Sequence, residues 1–331
     1  MAERRVERIG KIMLKKKLGF LLGVMVFLSL AGYLVCLAAG SNRQLNKEKE
    51  FLLVTSFYPM FVLAENLTAG TENIEVSNLT ENQTGCLHDY QLFPEDMKKL
   101  LWADAFLING AGMELFMEKV IESNQELYVM DASRGISLLE GEEHHHHGKE
   151  SGHEEESHDG HAHGENGHLW MDVERYRVQL SNVTKELQNL LPEQADVLAQ
   201  AADVYDDKLK VLSAGIADLS KHTQGMPVVI FHEAFAYLAE SLGMEVLKTF
   251  SLDENNRPSP GDIVEVMEEI NYHGTALIFI EEEQASYAEK LLEGTEAKVV
   301  YINPLTTGDG AADSYLAGMW DNLSAIRQAV E

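Results

Sequence analysis

From Phe51 onward the chain alternates short, β-rich apolar runs with stretches that repeat apolar residues every three or four positions. Leu52–Phe57, Ile74–Leu79, Ala105–Asn109 and Leu127–Asp131 read as strands, and helical patterns open near Pro59, Pro94 and Met113. This alternation predicts an α/β region with a mostly parallel sheet. The pattern breaks between Glu140 and His168, where glycine, histidine and acidic residues leave almost nothing to bury, so residues 140–167 read as a disordered loop. Val173–Leu191 then reads as a helix. Pro192 is well placed to start another that runs to about His222, some 46 Å long at the helical rise. A second α/β block follows, with strands at Val228–Phe231, Val246–Phe250, Leu277–Ile280 and Val299–Ile302 and helical patterns from Glu233, Pro260, Gln284 and Asp313.

The predicted fold class is therefore α/β with two lobes, each a mostly parallel sheet flanked by helices. The lobes span 51–191 and 223–331, and one long rigid helix, 192–222, joins them. A chain of 331 residues has ample length for this.

The first 50 residues differ in kind. Basic residues from Arg4 to Lys17 precede Leu18–Gly40, an uncharged run long enough to span a bilayer, so 1–50 reads as a signal peptide or membrane anchor. Cys36 inside that run is a candidate for lipidation, although Tyr33, Leu34 and Val35 before it are larger than a lipidation signal usually has. Cys36 and Cys86 are too few for a disulfide framework or a cysteine-type zinc site. The body is expected outside the cytoplasm, tethered at the cell surface or in the periplasm. Charge sharpens the picture, because residues 1–50 carry +6 and the remainder −34. So acidic a body disfavours nucleic acid and anionic lipid surfaces and favours cations.

Histidines supply the chemistry. His144, His145, His146, His147, His153, His158, His161 and His163 lie in the acidic loop, where they offer many weak, exchanging cation sites or only a solvated linker. Of the other five, His222 and His273 sit at helix ends and suit the helix dipole. His88, His168 and His232 sit where strands hand over to loops, the edge at which open α/β sheets collect ligands, and they could converge.

The run Cys86-Leu87-His88-Asp89-Tyr90, His168-Leu169-Trp170 after the His-rich loop, Phe231-His232-Glu233-Ala234-Phe235 and Asp313-Ser314-Tyr315 together resemble the metal-binding solute-binding proteins of bacterial ABC importers, the zinc-uptake branch above all. The resemblance covers about Phe51 to Glu331. It implies His88 and His168 as metal ligands from the first lobe, His232 as the first ligand from the second, and Asp313 at a carboxylate-bearing fourth position. Glu281 matches a second carboxylate used in the manganese branch. It further implies Zn2+ as the metal, with Mn2+ or Fe2+ open if Glu281 joins, and an ABC permease as the partner of a monomeric receptor that is not an enzyme.

Three imidazoles and one oxygen suit tetrahedral zinc, whereas manganese prefers a more oxygen-rich shell. Asp89, Asp172 and Glu233 are candidates to orient the ligating rings from behind. Two other functions compete. A surface metal buffer would need only the loop. A secreted zinc hydrolase is disfavoured because His232-Glu233 is followed by Ala236 where a paired histidine is required.

Overall fold

The computed structural model describes residues 50–80, 87, 90–124, 126–141, 165–250, 259–274, 276–286 and 294–331. The N-terminal segment, Cys86, His88, Asp89 and the eight loop histidines lie outside the described residues. In chain order the elements are β1 (Phe51–Thr55), α1 (Tyr58–Leu67), β2 (Ile74–Asn78), α2 (Pro94–Trp102), β3 (Ala105–Ile108), α3 (Glu118–Ser123), β4 (Tyr128–Asp131), β5 (Leu139–Glu140), β6 (Glu165–Asn166), α4 (Val173–Leu190), α5 (Ala195–Thr223), β7 (Pro227–Ile230), α6 (Phe235–Ser241), β8 (Glu245–Thr249), α7 (Pro260–His273), β9 (Leu277–Ile280), β10 (Lys298–Tyr301) and α8 (Ser314–Val330). Among the described residues no helix is long and apolar enough to cross a membrane.

Two four-stranded parallel sheets form, ordered β2-β1-β3-β4 and β10-β9-β7-β8. Counted by order of appearance, both run 2-1-3-4. The connections therefore reverse direction between the first and third strand of each sheet, which opens a crevice at their carboxyl ends. The short β5–β6 pair, antiparallel with Leu139 opposite Asn166, was not apparent from the hydrophobic pattern and closes the base of the His-rich segment.

Both faces of each sheet are covered, and successive strand residues take opposite sides. Val228 and Ile230 of β7 face one core, while Val229 and, just past the strand, Phe231 face another under α7. In β3, Ala105 and Leu107 face inward while Phe106 packs outward with Leu100 of α2. The inward sides of the two sheets share a single core rather than owning one each, and Phe51–Glu331 is one compact unit.

Four large side chains tie that core together. Tyr176 of α4 stacks on Tyr315 of α8 at 4.1 Å. Phe57 meets the Trp170 ring edge-on at 4.8 Å. The Trp170 indole Nε1 donates to Pro304 O at 2.7 Å, and Tyr315 Oη donates to Trp170 O at 2.7 Å. The long helix α5 lies against α4, burying Leu198, Tyr205, Leu209, Leu212, Ile216 and Leu219 along one seam. Its 29 residues extend about 44 Å.

Trp170→Phe removes the bond to Pro304 and, because the indole is fully buried, also leaves a void where the larger ring system was. Urea unfolding is expected to show a loss of about 1 kcal/mol from the bond, up to about 3 if the carbonyl is left without water, with the void adding to it. An unchanged midpoint would show that this contact contributes nothing to holding the two sheets together.

Candidate metal centre

His232 leaves the end of β7, and Glu281 the end of the neighbouring β9. The ladder carries Phe231 N to Phe279 O at 2.9 Å, so both residues emerge side by side at the point where the second sheet's connections diverge. His168 reaches the same place from the first half of the sequence. It ends the β6 arm and begins the Leu169–Met171 turn that leads into α4.

The structure brings His168 and His232 together, their ring centres 5.0 Å apart and nearly perpendicular. Two imidazoles on one tetrahedral zinc, with Zn–N of about 2.0–2.1 Å, have ring centres about 5 Å apart, so the pair already has the spacing of a shared ion. His168 is fully buried. Among the described residues no group of three or more His, Cys, Asp or Glu side chains is gathered tightly enough to hold a metal, and His88 lies outside the described residues.

The two rings are hydrogen-bonded in opposite senses. His168 Nδ1 faces Asn166 Oδ1 at 2.9 Å and Glu233 Oε1 at 3.6 Å, both acceptors. His232 Nδ1 accepts the Ala234 N–H at 3.1 Å, so ligation through its Nε2 displaces a proton or that contact. Glu233 thus stands behind a ligand-type histidine as the sequence suggests, though behind His168 rather than its neighbour.

Two of the acidic residues singled out in the sequence are engaged in other contacts. Asp172 uses Oδ1 to cap α4 at Arg175 N, 2.8 Å, and Oδ2 to meet Ser241 Oγ at 2.8 Å and Arg175 Nη1 at 3.0 Å. It is a structural cap and a tie to α6, not an acceptor for His168. Asp313 sits before α8 with its side chain 65% exposed, paired with Lys208 of α5 at 2.6 Å. Its turn is fixed on the α1 side by Asn66 Nδ2 to Ala312 O at 2.8 Å and Tyr58 Oη to Ser314 Oγ at 2.8 Å. The structure does not bring it to the histidine pair.

Among the described residues Glu281, too, is not gathered with the histidine pair into a metal-holding group. Burial, with neighbouring Glu283 adding to it, pushes its pKa up to about 7, so it is a poorly solvated acid beside the strand end that carries His232. Beneath the His168 turn lies a polar platform that sequence reasoning missed. Buried Glu114 accepts Asn109 N at 2.8 Å and Gly110 N at 3.1 Å, and burial raises its pKa to about 7. Asn109 Nδ2 in turn donates to Gly167 O at 2.9 Å. Gly167 is required there, because a Cβ would lie 2.7 Å from Ala111 O. Asn166 was missed as well, since nothing in its local sequence marks it.

Comparison with known proteins agrees with this architecture. The family profile described as zinc-uptake complex component A, periplasmic, matches residues 53–329. The chain is 23% identical over 313 residues to the zinc-binding lipoprotein AdcA of Streptococcus pneumoniae serotype 4, covering 92% of this chain but only 61% of that relative's length. It is 24% identical over 320 residues to the high-affinity zinc uptake system protein ZnuA of Bacillus subtilis, covering 92% of this chain and 97% of the relative. The solved structure of the SBP FpvC from Pseudomonas aeruginosa in complex with Mn2+ superposes with a TM-score of 0.72 at 23% identity, over 85% of this chain and 99% of that one. With two 2-1-3-4 sheets, a long helix between them and a family match spanning nearly all of both, the chain belongs to the zinc-uptake complex component A family.

Proposed function

We propose that this chain is an extracytoplasmic receptor that captures Zn2+ between its two α/β regions and delivers it to an ABC permease. His168 and His232 are two of its ligands, His88 the third, and Glu281 the carboxylate in place of Asp313. The 5.0 Å pairing of a buried histidine from the first half of the chain with one from the second carries this reading. The names of the streptococcal and Bacillus relatives support zinc and uptake, and the word lipoprotein supports a membrane tether through the segment before residue 50. Binding, not hydrolysis, is favoured because Glu233 is turned toward His168 Nδ1 and Ala236 stands where a second zincin histidine belongs.

The test is competitive calorimetry with zinc and manganese on a body lacking 142–164, a deletion that leaves the β5–β6 stem intact. One tight zinc site is expected, and His88→Ala, His168→Ala or His232→Ala should each weaken it by at least about 100-fold, equivalent to about 2.7 kcal/mol. Asp313→Ala should leave it within about twofold, far below the 1.4 kcal/mol that a tenfold change represents. Tight binding that vanishes with the loop would identify a metal buffer instead. Manganese binding more tightly than zinc would identify a manganese receptor.

Glu281 makes a separate expectation about pH. Its folded pKa of about 7 exceeds the ordinary glutamate value of about 4.3, so the folded protein holds a proton that the unfolded chain has released. The resulting stability is full at the acid end and is lost as pH rises through 7. Glu281→Gln should therefore raise the melting temperature of the metal-free protein at pH 8 and flatten its fall between pH 5 and 8, while weakening zinc binding. Glu114 shares the trend, so some slope remains. A variant less stable than wild type at pH 8 would contradict the assignment.

A further inference from the structure

We propose that Asn166 is the positioning residue of this metal site: one side-chain amide sets which nitrogen His168 offers to the metal and fastens the His168 turn to the His232 turn. The proposal rests on the receptor reading above.

Asn166 is 1% exposed, and its side-chain amide is engaged at both ends. Oδ1 accepts the His168 backbone N–H at 3.0 Å and lies 2.9 Å from His168 Nδ1. Nδ2 donates to Glu233 O at 2.8 Å, in the turn that follows His232. These partners fix the amide's orientation. A backbone N–H can only donate and a carbonyl can only accept, so turning the amide over would set NH2 against N–H and oxygen against oxygen. With Oδ1 thus fixed as an acceptor, the imidazole nitrogen facing it must carry the proton. His168 is held as the Nδ1–H tautomer, so Nε2 is the nitrogen it would present to a metal.

The amide cannot drift from this arrangement. Its main-chain oxygen accepts from Tyr237 Oη at 2.5 Å, and Tyr237 Oη accepts Leu139 N at 3.1 Å across the β5–β6 pair. The next carbonyl, Gly167 O, is held by Asn109 Nδ2. A short side chain anchored on both sides loses little freedom when metal arrives, which is how a supporting residue raises affinity without touching the ion.

The experiment uses the body lacking 142–164, labelled with 15N-histidine, and combines long-range 1H–15N spectra of the metal-free ring with zinc titration. Wild type is expected to show His168 protonated at Nδ1. Asn166→Ala, made in a Glu233→Ala background so that the carboxylate 3.6 Å from the same nitrogen cannot hold the proton there, should give a mixture of tautomers and bind zinc about 10–100-fold more weakly than that background, the range typical for loss of a group supporting a metal ligand. Asn166→Asp in the same background keeps the acceptor but loses the donor to the backbone oxygen at position 233, so it should retain the Nδ1–H form and recover part of the affinity. Wild-type His168 protonated at Nε2 would overturn the proposal even if Asn166→Ala failed to fold. So would an Asn166→Ala protein in that background with unchanged tautomer, or with zinc affinity within twofold of the background. His168→Ala is the separate control: if it binds zinc normally the receptor reading falls, whereas the tautomer spectra judge Asn166 by themselves.

Discussion

The segment from Asn166 to Asp172 is bonded into both halves of the molecule, and the site depends on that double attachment. Asn166 reaches Glu233, Tyr237 reaches back to Asn166, Trp170 reaches Pro304, Tyr315 reaches Trp170 and Ser241 reaches Asp172. His168 comes from the first half of the sequence, yet the second half holds it in place. Pulling the halves apart would break all of these bonds, at a cost on the order of 5 kcal/mol if each contributes about 1. The shared inner core adds to that resistance. Such an arrangement favours metal exchange through local movement around the histidine pair over a wide opening of two independent lobes.

The repeated 2-1-3-4 topology explains why the site lies where it does. Each sheet has its crevice at the carboxyl end of its first and third strands. In the second sheet those strands release His232 and Glu281. In the first they release Ser56 and Asn109, and Asn109 supports the Gly167 carbonyl next to His168. The first sheet thus contributes a buried polar platform, while the second contributes side chains of the kind a metal needs. Two poorly solvated acids, Glu114 and Glu281, lie at these edges. Both make the protein less stable as they ionise.

Much of the fold was legible because strands buried on both faces are continuous apolar runs, and these fell within one or two residues of the observed strands. The long helix was equally plain from its proline start and its apolar seam. The pattern opening at Met113 was less so. The chain there makes a turn through Gly110, Ala111 and Gly112, all with positive φ, and the α-helix begins only at Glu118. In the site, His168 and His232 were visible by residue type and strand-end position. The pairing of Asp313 with Lys208 was not legible locally, because the two lie 105 positions apart. Asn166 was invisible for the same reason, since its meaning comes from a carbonyl 67 residues further on. Local sequence reports what a residue can do, and contacts at such separations decide what it does.

The measurement that bears most directly on the central claim is anomalous diffraction at the zinc edge from crystals of the zinc-loaded body without residues 142–164. The account predicts one strong peak between the two α/β regions, about 2.0–2.1 Å from imidazole nitrogens of both His168 and His232. A well-occupied zinc bound elsewhere, with the His168 ring still on Asn166 and the His232 ring still on Ala234, would contradict it.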